Sequence, residues 1–170
     1  MRMSVDPLVI GIDASPLRIG YAIAHQERIR AFGIFHTKTS PLEQRVTAWR
    51  DIRQAARMIE DATRRDVSAV FVEDAWFGPN RRGTLLHAMS IGQVCALAYQ
   101  AFQVEPRLIS PQTWRSRCGL PQRGKEPAMR FATELVEDSD ISRISRISQD
   151  EADAITIAIA GLRILISEDE

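Results

Sequence analysis

The sequence contains few of the residues that build specialised scaffolds. Its two cysteines, Cys95 and Cys118, stand far apart and have no CxxC or Cys/His spacing. This spacing argues against a disulfide framework and against a zinc site. Lysine is equally scarce, with Lys38 and Lys125 only, so arginine supplies nearly all of the positive charge.

Long apolar runs are also missing, since no run approaches the roughly 18 residues that a membrane span needs. The N-terminal segment MRMSVDPLVIGID has an acid before its short apolar run and does not resemble a secretory signal. Apolar residues make up 45% and charged residues 26% of the chain, which is ordinary for a globular protein. We therefore expect a soluble, cytoplasmic protein with no membrane partner, and a single domain over residues 1–170.

Net charge is zero, but the charges are not evenly distributed. The tail is acidic, whereas one internal stretch is basic and contains a single acid, Glu126. A neutral total can therefore hide a basic face of the kind that binds nucleic acid. The basic residues of this stretch are Arg107, Arg115, Arg117, Arg123, Lys125 and Arg130.

Hydrophobic periodicity predicts the element order βββαβαβααα. Three β-rich segments open the chain and predict an antiparallel meander. We predict an α/β fold with a five-stranded mixed sheet, in which strands 1–3 are antiparallel and helices cover both faces. Residues 137–149 show neither period and predict a mobile loop. The predicted elements are LVIGIDAS, RIGYAIAH, RIRAFGIFHT, a helix from Pro41 to about Arg65, the strand SAVFVED, an apolar helix Thr84–Phe102, the strand VEPRLIS, a helix beginning at Pro111 with Ser110 as N-cap, a helix Glu126–Val136, and a helix from about Asp150 to Ile166.

Four acids occupy positions that surface solvation explains poorly. Asp13 interrupts the apolar run VIGIDA and Glu73 ends the run AVFVE, although Asp74 stands beside it. Asp150 and Asp153 are spaced i, i+3 in the first turn of the last helix and project from one face. All four converge if strands 1 and 4 are neighbours and this helix crosses their ends. The structural alternatives are a turn-forming role for Asp13 and a helix-capping role for Asp150.

Carboxylates gathered in one pocket repel one another unless cations neutralise them. Ligation by oxygen alone is the preference of magnesium and manganese. Two such ions can activate a water and stabilise both the attacking and the leaving oxygen at a phosphodiester. We therefore expect two Mg²⁺ ions per site, with Mn²⁺ as a substitute, no small-molecule cofactor, and hydrolysis of a nucleic-acid backbone.

Three segments carry a resemblance to a known family. GIDASPLRIGYAI resembles the first motif of the RuvC family of Holliday-junction resolvases, in which an Asp is followed seven residues later by Gly-Tyr. VFVEDAWFGPN resembles the second motif, and DEADAITIAIA resembles the last. The resemblance extends over nearly the whole chain, from Val9 to Leu162. The family has Pro-Gly-Ser where this chain has Ala14-Ser15-Pro16, a departure that suggests a divergent member, such as a phage-encoded protein acting in the host cytoplasm.

The resemblance implies a ribonuclease H-like fold and a magnesium-dependent endonuclease that resolves four-way DNA junctions and other branched DNA. It also implies a symmetric homodimer in which each subunit nicks one strand, and the apolar helix 84–102 is the candidate interface, unless it is buried against its own sheet. The implied catalytic and metal-binding residues are Asp13, Glu73, Asp150 and Asp153. The expected DNA-binding residues are Trp76, Arg81, Arg82, Arg115, Arg117, Arg123 and Lys125.

The DNA-binding residues are expected on two grounds, the resemblance to the family and the clustering of arginines. Trp76 falls where the family has an aromatic that stacks at the strand exchange, although a core tryptophan is the structural alternative. Arg115 and Lys125 fall where the family has phosphate-contacting lysines. The remaining arginines are expected to hold phosphates because they cluster in polar loops, and a solvated surface charge is the alternative for each.

Three other functions compete with this interpretation. A sugar-kinase-like ATPase needs two lobes and glycine-rich phosphate loops, which 170 residues do not supply. An RNA-directed nuclease of the same fold shares the first motif, but the long helix after Glu73 and the Asp-x-x-Asp ending favour the junction resolvase. A non-catalytic binder of branched DNA would have no need of all four acids.

Overall fold

The computed structural model describes residues 6–36, 41–74, 78–139, 141 and 146–168, without the side chains of residues 41, 42, 44 and 45. The elements follow the predicted alternation of strands and helices. They are β1 Leu8–Ala14, β2 Arg18–His25, β3 Arg28–His36, α1 Pro41–Thr63, β4 Val67–Glu73, α2 Arg81–Phe102, β5 Arg107–Ile109, α3 Pro111–Arg117, α4 Glu126–Glu137 and α5 Gln149–Glu168.

The strands form one five-stranded sheet in the order β3-β2-β1-β4-β5. Strands β1, β2 and β3 pair antiparallel, as short turns between them require. Strand β4 returns through α1 and pairs parallel with β1, and β5 pairs parallel with β4. The predicted mixed sheet is confirmed, and so is the expectation that strands 1 and 4 are neighbours.

Alternation along the strands divides the core into two layers. Val9, Ala22 and Phe71 lie on one face and pack with α3, α4 and α5. Ile10 and Val70 lie on the other face and pack with α1 and α2. Because successive side chains of a strand point to opposite faces, both faces of β1 and β4 are apolar and covered. Helices therefore cover both faces, as predicted.

Helix α5 crosses the sheet closely because side chains are absent along its path. A Cβ on Gly20 of β2 would collide with the backbone of the first turn of α5, and one on Gly11 of β1 would collide with the backbone at Ala154. On the helix side, a Cβ on Gly161 would collide with the ring of Phe71 on β4. The helix thus runs from β2 over β1 to β4 and carries its first turn to the site end of the sheet.

Helix α2 carries apolar side chains on its exposed side as well as on its buried side. Ile91, Val94 and Ala98 face the sheet, whereas Leu85 and Met89 are exposed. By length and composition this helix could cross a membrane, which corrects the expectation that no segment approaches a span. Only 22% of its most apolar window is buried, so its outer face remains open to a partner.

The prediction of a mobile loop over residues 137–149 is wrong at both ends. Glu137 is the last residue of α4, and Gln149 is already in α5. Ile147 is 7% exposed and belongs to the core beneath α5. Residues 140 and 142–145 lie outside the described residues. A single buried isoleucine in a polar segment produces no periodicity, and for that reason the pattern missed it.

The close crossing of α5 predicts that Gly11→Ala destabilises the protein. The added methyl group must push helix backbone away from the sheet, so we expect a loss of about 1–3 kcal/mol in the free energy of unfolding. Urea denaturation measures the change. Gly92→Ala is the control because its Cβ meets nothing within 4 Å of the single chain, and at a dilution that keeps the protein monomeric it should stabilise α2 slightly. An unchanged midpoint for Gly11→Ala would contradict the packing described above.

Candidate active site

Two acids meet at the carboxyl ends of the neighbouring parallel strands β1 and β4. Ile12 pairs with Val72, so Asp13 and Glu73 follow side by side. Alternation places Glu73 on the α5 face with Phe71 and turns Asp74 away from that face. The register thus decides between the two consecutive acids that the sequence could not separate.

The other two acids enter from the first turn of α5, where a capping box fixes the helix start. The backbone N–H and the hydroxyl of Ser148 both donate to the Glu151 carboxylate, at 2.8 and 2.7 Å. The Glu151 backbone N–H donates back to the Ser148 hydroxyl at 3.4 Å. This reciprocal pair satisfies two backbone donors at the helix end and orients Asp150 and Asp153 toward the strands.

The four acids share one electrostatic environment. Burial raises the pKa of Asp13 well above its ordinary value, and the charges of Glu73, Asp153 and Asp150 raise it further. Burial first and Asp153 next raise the pKa of Glu73 to about 7. Burial also raises the pKa of Asp153. The site therefore concentrates negative charge where water cannot fully stabilise it, a condition that favours protons or cations.

The donor set consists of carboxylate oxygens, which suits a hard divalent cation such as magnesium or manganese. As the side chains stand, no three acidic, histidine or cysteine groups among the described residues lie together as metal ligands. Electrostatic coupling extends further than a metal–oxygen bond, so the two observations agree. The acids are coupled electrostatically, and coordination of one ion by several of them requires their side chains to rotate.

Two further side chains hold the carboxylates of α5. The Arg18 Nε lies 2.7 Å from the Asp150 Oδ2, and the Gln149 side-chain amide donates to the Asp153 Oδ1 at 2.8 Å. Neither residue is marked by a motif in the sequence. Arg18 carried no signal because its partner is 132 positions away, whereas the Ser148-x-x-Glu151 spacing could have located the helix start.

Two of the basic residues expected to bind DNA do lie near the acids. Arg115 on α3 lowers the pKa of both Glu73 and Asp153, and Lys125 lowers that of Asp153, although burial prevails in each case. The Arg115 guanidinium stacks over the buried Trp114 ring at 4.7 Å and donates to the Pro121 carbonyl oxygen at 3.1 Å. This packing holds a positive charge beside the carboxylates.

Four of the other expected DNA-binding residues, all of them arginines, are exposed. Arg117 lies toward the far end of α5, because its carbonyl oxygen accepts a hydrogen bond from Arg163, and Glu168 is within its electrostatic reach. Arg81 and Arg82 are exposed in the first turn of α2, and Arg123 is exposed in the loop before α4. Trp76 lies outside the described residues. The DNA-binding role of all these residues stays a prediction.

Solved structures of known proteins match this chain in fold. The RuvC of Thermus thermophilus in complex with a Holliday junction substrate matches this chain with a TM-score of 0.67 and 18% sequence identity. The match covers 93% of this chain and 94% of the other. The chain has the RuvC fold. A second structure of the Thermus thermophilus RuvC gives a TM-score of 0.64 at 19% identity, covering 94% of this chain and 96% of that one.

No protein-family model matches the sequence, and no curated protein matches it either. The similarity to RuvC is thus found by comparing structures, although the overall sequence similarity is low. It confirms the ribonuclease H-like architecture that the three motifs predicted. The roles of the four acids stay predictions.

The raised pKa of Glu73 predicts that Glu73→Gln stabilises the protein above neutral pH when divalent cations are removed by EDTA. In the unfolded chain the carboxyl ionises near pH 4.5, whereas in the folded chain it keeps its proton until about pH 7. The free energy of unfolding therefore falls as the pH rises through this window. Glutamine removes that cost, so we expect a gain of about 1–3 kcal/mol at pH 8.

Urea denaturation at pH 8 and at pH 4.5 measures the effect, which should vanish at the lower pH. Glu134→Gln on the exposed side of α4 is the matched control. A Glu73→Gln variant no more stable than the wild type at pH 8 would contradict the burial of charge at this site.

Proposed function

We propose that this chain is a structure-selective endonuclease that cuts four-way DNA junctions and other branched DNA by metal-dependent hydrolysis of phosphodiester bonds. The observation that carries the proposal is the convergence of four carboxylates at the ends of β1, β4 and α5 within the RuvC fold. The similarity of the whole chain to a RuvC solved with a Holliday junction substrate supports the choice of DNA substrate.

In this proposal Asp13, Glu73, Asp150 and Asp153 hold two magnesium or manganese ions. When bound, the ions lower the pKa of a coordinated water and stabilise charge on the attacking and leaving oxygens. All three other acids raise the pKa of Asp13, so Asp13 would be the ligand within electrostatic reach of each of the others.

The substrate backbone is held by the basic residues beside the acids. Arg115 and Lys125 carry positive charge within electrostatic reach of Asp153, so a phosphate placed at the carboxylates also meets these side chains. Arg115 is held in place by its contact with Trp114, which reduces the conformational entropy it loses on binding. Such contacts make the affinity salt-dependent and independent of sequence, so junction shape must supply the selectivity.

Asp13→Asn is expected to abolish cleavage of an end-labelled synthetic four-way DNA junction in the presence of magnesium. Loss of a shared ligand should lower the rate by more than about 100-fold, because residues that merely orient a ligand are already worth about 10- to 100-fold. Binding of the junction should persist, since the basic residues are untouched. Gel analysis of the labelled strands measures both nicking and symmetry.

Asp51→Asn, an exposed acid on α1, is the matched control and should cleave like the wild type. EDTA should stop the reaction, and linear duplex should remain uncut. An RNA junction assayed in parallel separates this function from that of an RNA-directed nuclease of the same fold. If the wild type binds the junction and never cuts it, the protein is a junction binder and the proposal is wrong.

We also propose that the protein acts as a homodimer through α2. Its outer face carries an exposed stripe at alternating spacings of four and three residues, formed by Leu85, Met89, Gly92, Ala96 and Tyr99. This spacing is that of a helix seam that packs against another helix. Two subunits joined in this way present two sites, as paired nicks in a symmetric junction require.

Met89→Glu is expected to convert the dimer to a monomer, because the seam cannot bury an unpaired carboxylate without a large desolvation cost. Sedimentation velocity at micromolar concentration measures the state. Met58→Glu on α1 is the matched control, since Met58 is 68% and Met89 54% exposed. A wild-type protein that sediments as a monomer would rule out this interface at that concentration.

A further inference from the structure

Arg18 is a cation in direct contact with one acid of the carboxylate cluster. Its Nε lies 2.7 Å from the Asp150 Oδ2, and its charge also lowers the pKa of Asp13. The Arg18 side chain is 51% exposed and that of Asp150 16%, so the guanidinium covers the acid from the solvent side. Arg18 thus stands between the acid and the solvent from which ions and substrate arrive.

The backbone of Arg18 is fixed by the turn between β1 and β2. The Ser15 N–H donates to the Arg18 carbonyl oxygen at 2.9 Å, and the Arg18 N–H donates to the Ser15 hydroxyl at 3.0 Å. Gly20, two residues later and on the same face of β2, lies against the backbone of Asp150. Strand and helix are therefore held together, and the ion pair forms without large backbone movement.

The chemistry of the pair differs from that of an ordinary surface salt bridge. A guanidinium and a divalent cation both require the lone pairs of a carboxylate, and Arg18 already engages one oxygen of Asp150. A divalent ion that binds this oxygen competes with the guanidinium for its lone pairs. The exposed stem of Arg18 has solvent into which it can swing, whereas Asp150 is held by the first turn of α5.

We propose that Arg18 is a built-in counter-ion of the active site, one that occupies Asp150 until a divalent cation displaces it and thereby sets the affinity for the cation. The inference rests on the proposed function, because it takes Asp150 as a metal ligand. Part of the binding free energy of the ion is spent on breaking the pair, so the apparent affinity is lower than the intrinsic affinity of the carboxylates. Arg18 is a positioning residue in this scheme and does not contact the reacting atoms.

The direct test is Mn²⁺ binding to the full-length protein without DNA, followed by the EPR signal of free Mn²⁺. Arg18→Gln removes both the charge and the pair, and it should bind Mn²⁺ about 10-fold more tightly than the wild type. Lys125→Gln is the matched control, because it removes one charge that acts on Asp153 through space and does not break a described pair with Asp150. Its affinity should change by less than about 3-fold, since exposed charges are screened by salt.

Arg18→Lys supplies a second comparison, since it keeps the charge and loses the planar guanidinium that fits a carboxylate. Its affinity should lie between those of the wild type and Arg18→Gln. Equal affinities for the wild type and Arg18→Gln would overturn the inference. Equal gains in Mn²⁺ affinity for Arg18→Gln and Lys125→Gln would overturn it as well. The effect would then come from the loss of positive charge near the site and not from the Arg18–Asp150 pair.

The outcomes separate this inference from the proposed function. If the wild type cuts junctions and binds Mn²⁺, but Arg18→Gln binds Mn²⁺ no more tightly, the proposed nuclease function stands. The proposal that Arg18 is a counter-ion is then overturned. A wild-type protein that binds no Mn²⁺ at millimolar concentration overturns both proposals.

Discussion

The close approach of α5 to the sheet is the contact on which the rest of the structure depends. Gly20, Gly11 and Gly161 remove the side chains that would otherwise separate helix from strands. The helix can then bury small residues such as Ala154 and Ala158 directly on β1. Because the backbone positions are interlocked, the first turn of α5 has little freedom to slide along the ends of β1 and β4.

The close packing of α5 on the sheet brings acidic side chains together, and this does not stabilise the fold. Asp13, Glu73 and Asp153 all have raised pKa values, and burial is the largest cause for each. A protein selected for stability alone would place apolar or paired residues there. The cost of burying these charges is what a bound cation would offset, so stability is exchanged for affinity at the site.

The surrounding residues moderate this charge in two ways. Arg18 and Gln149 contact carboxylates directly, whereas Arg115 and Lys125 act on them through space. The direct contacts occupy oxygens that a metal would use, and the distant charges leave those oxygens free. The arrangement therefore keeps two positive charges on the α3–α4 side of the acids without occupying their oxygens.

The sequence by itself determined the strand and helix order, the four acids and the basic stretch, because hydrophobic period and interrupted apolar runs are local signals. It could not separate Glu73 from Asp74, since only the pairing of β1 with β4 decides which residue faces α5. It missed the buried Ile147 and the Arg18–Asp150 pair, which involve residues distant in the chain. Such contacts arise from the crossing of α5 over β2, and no short window of sequence carries that geometry.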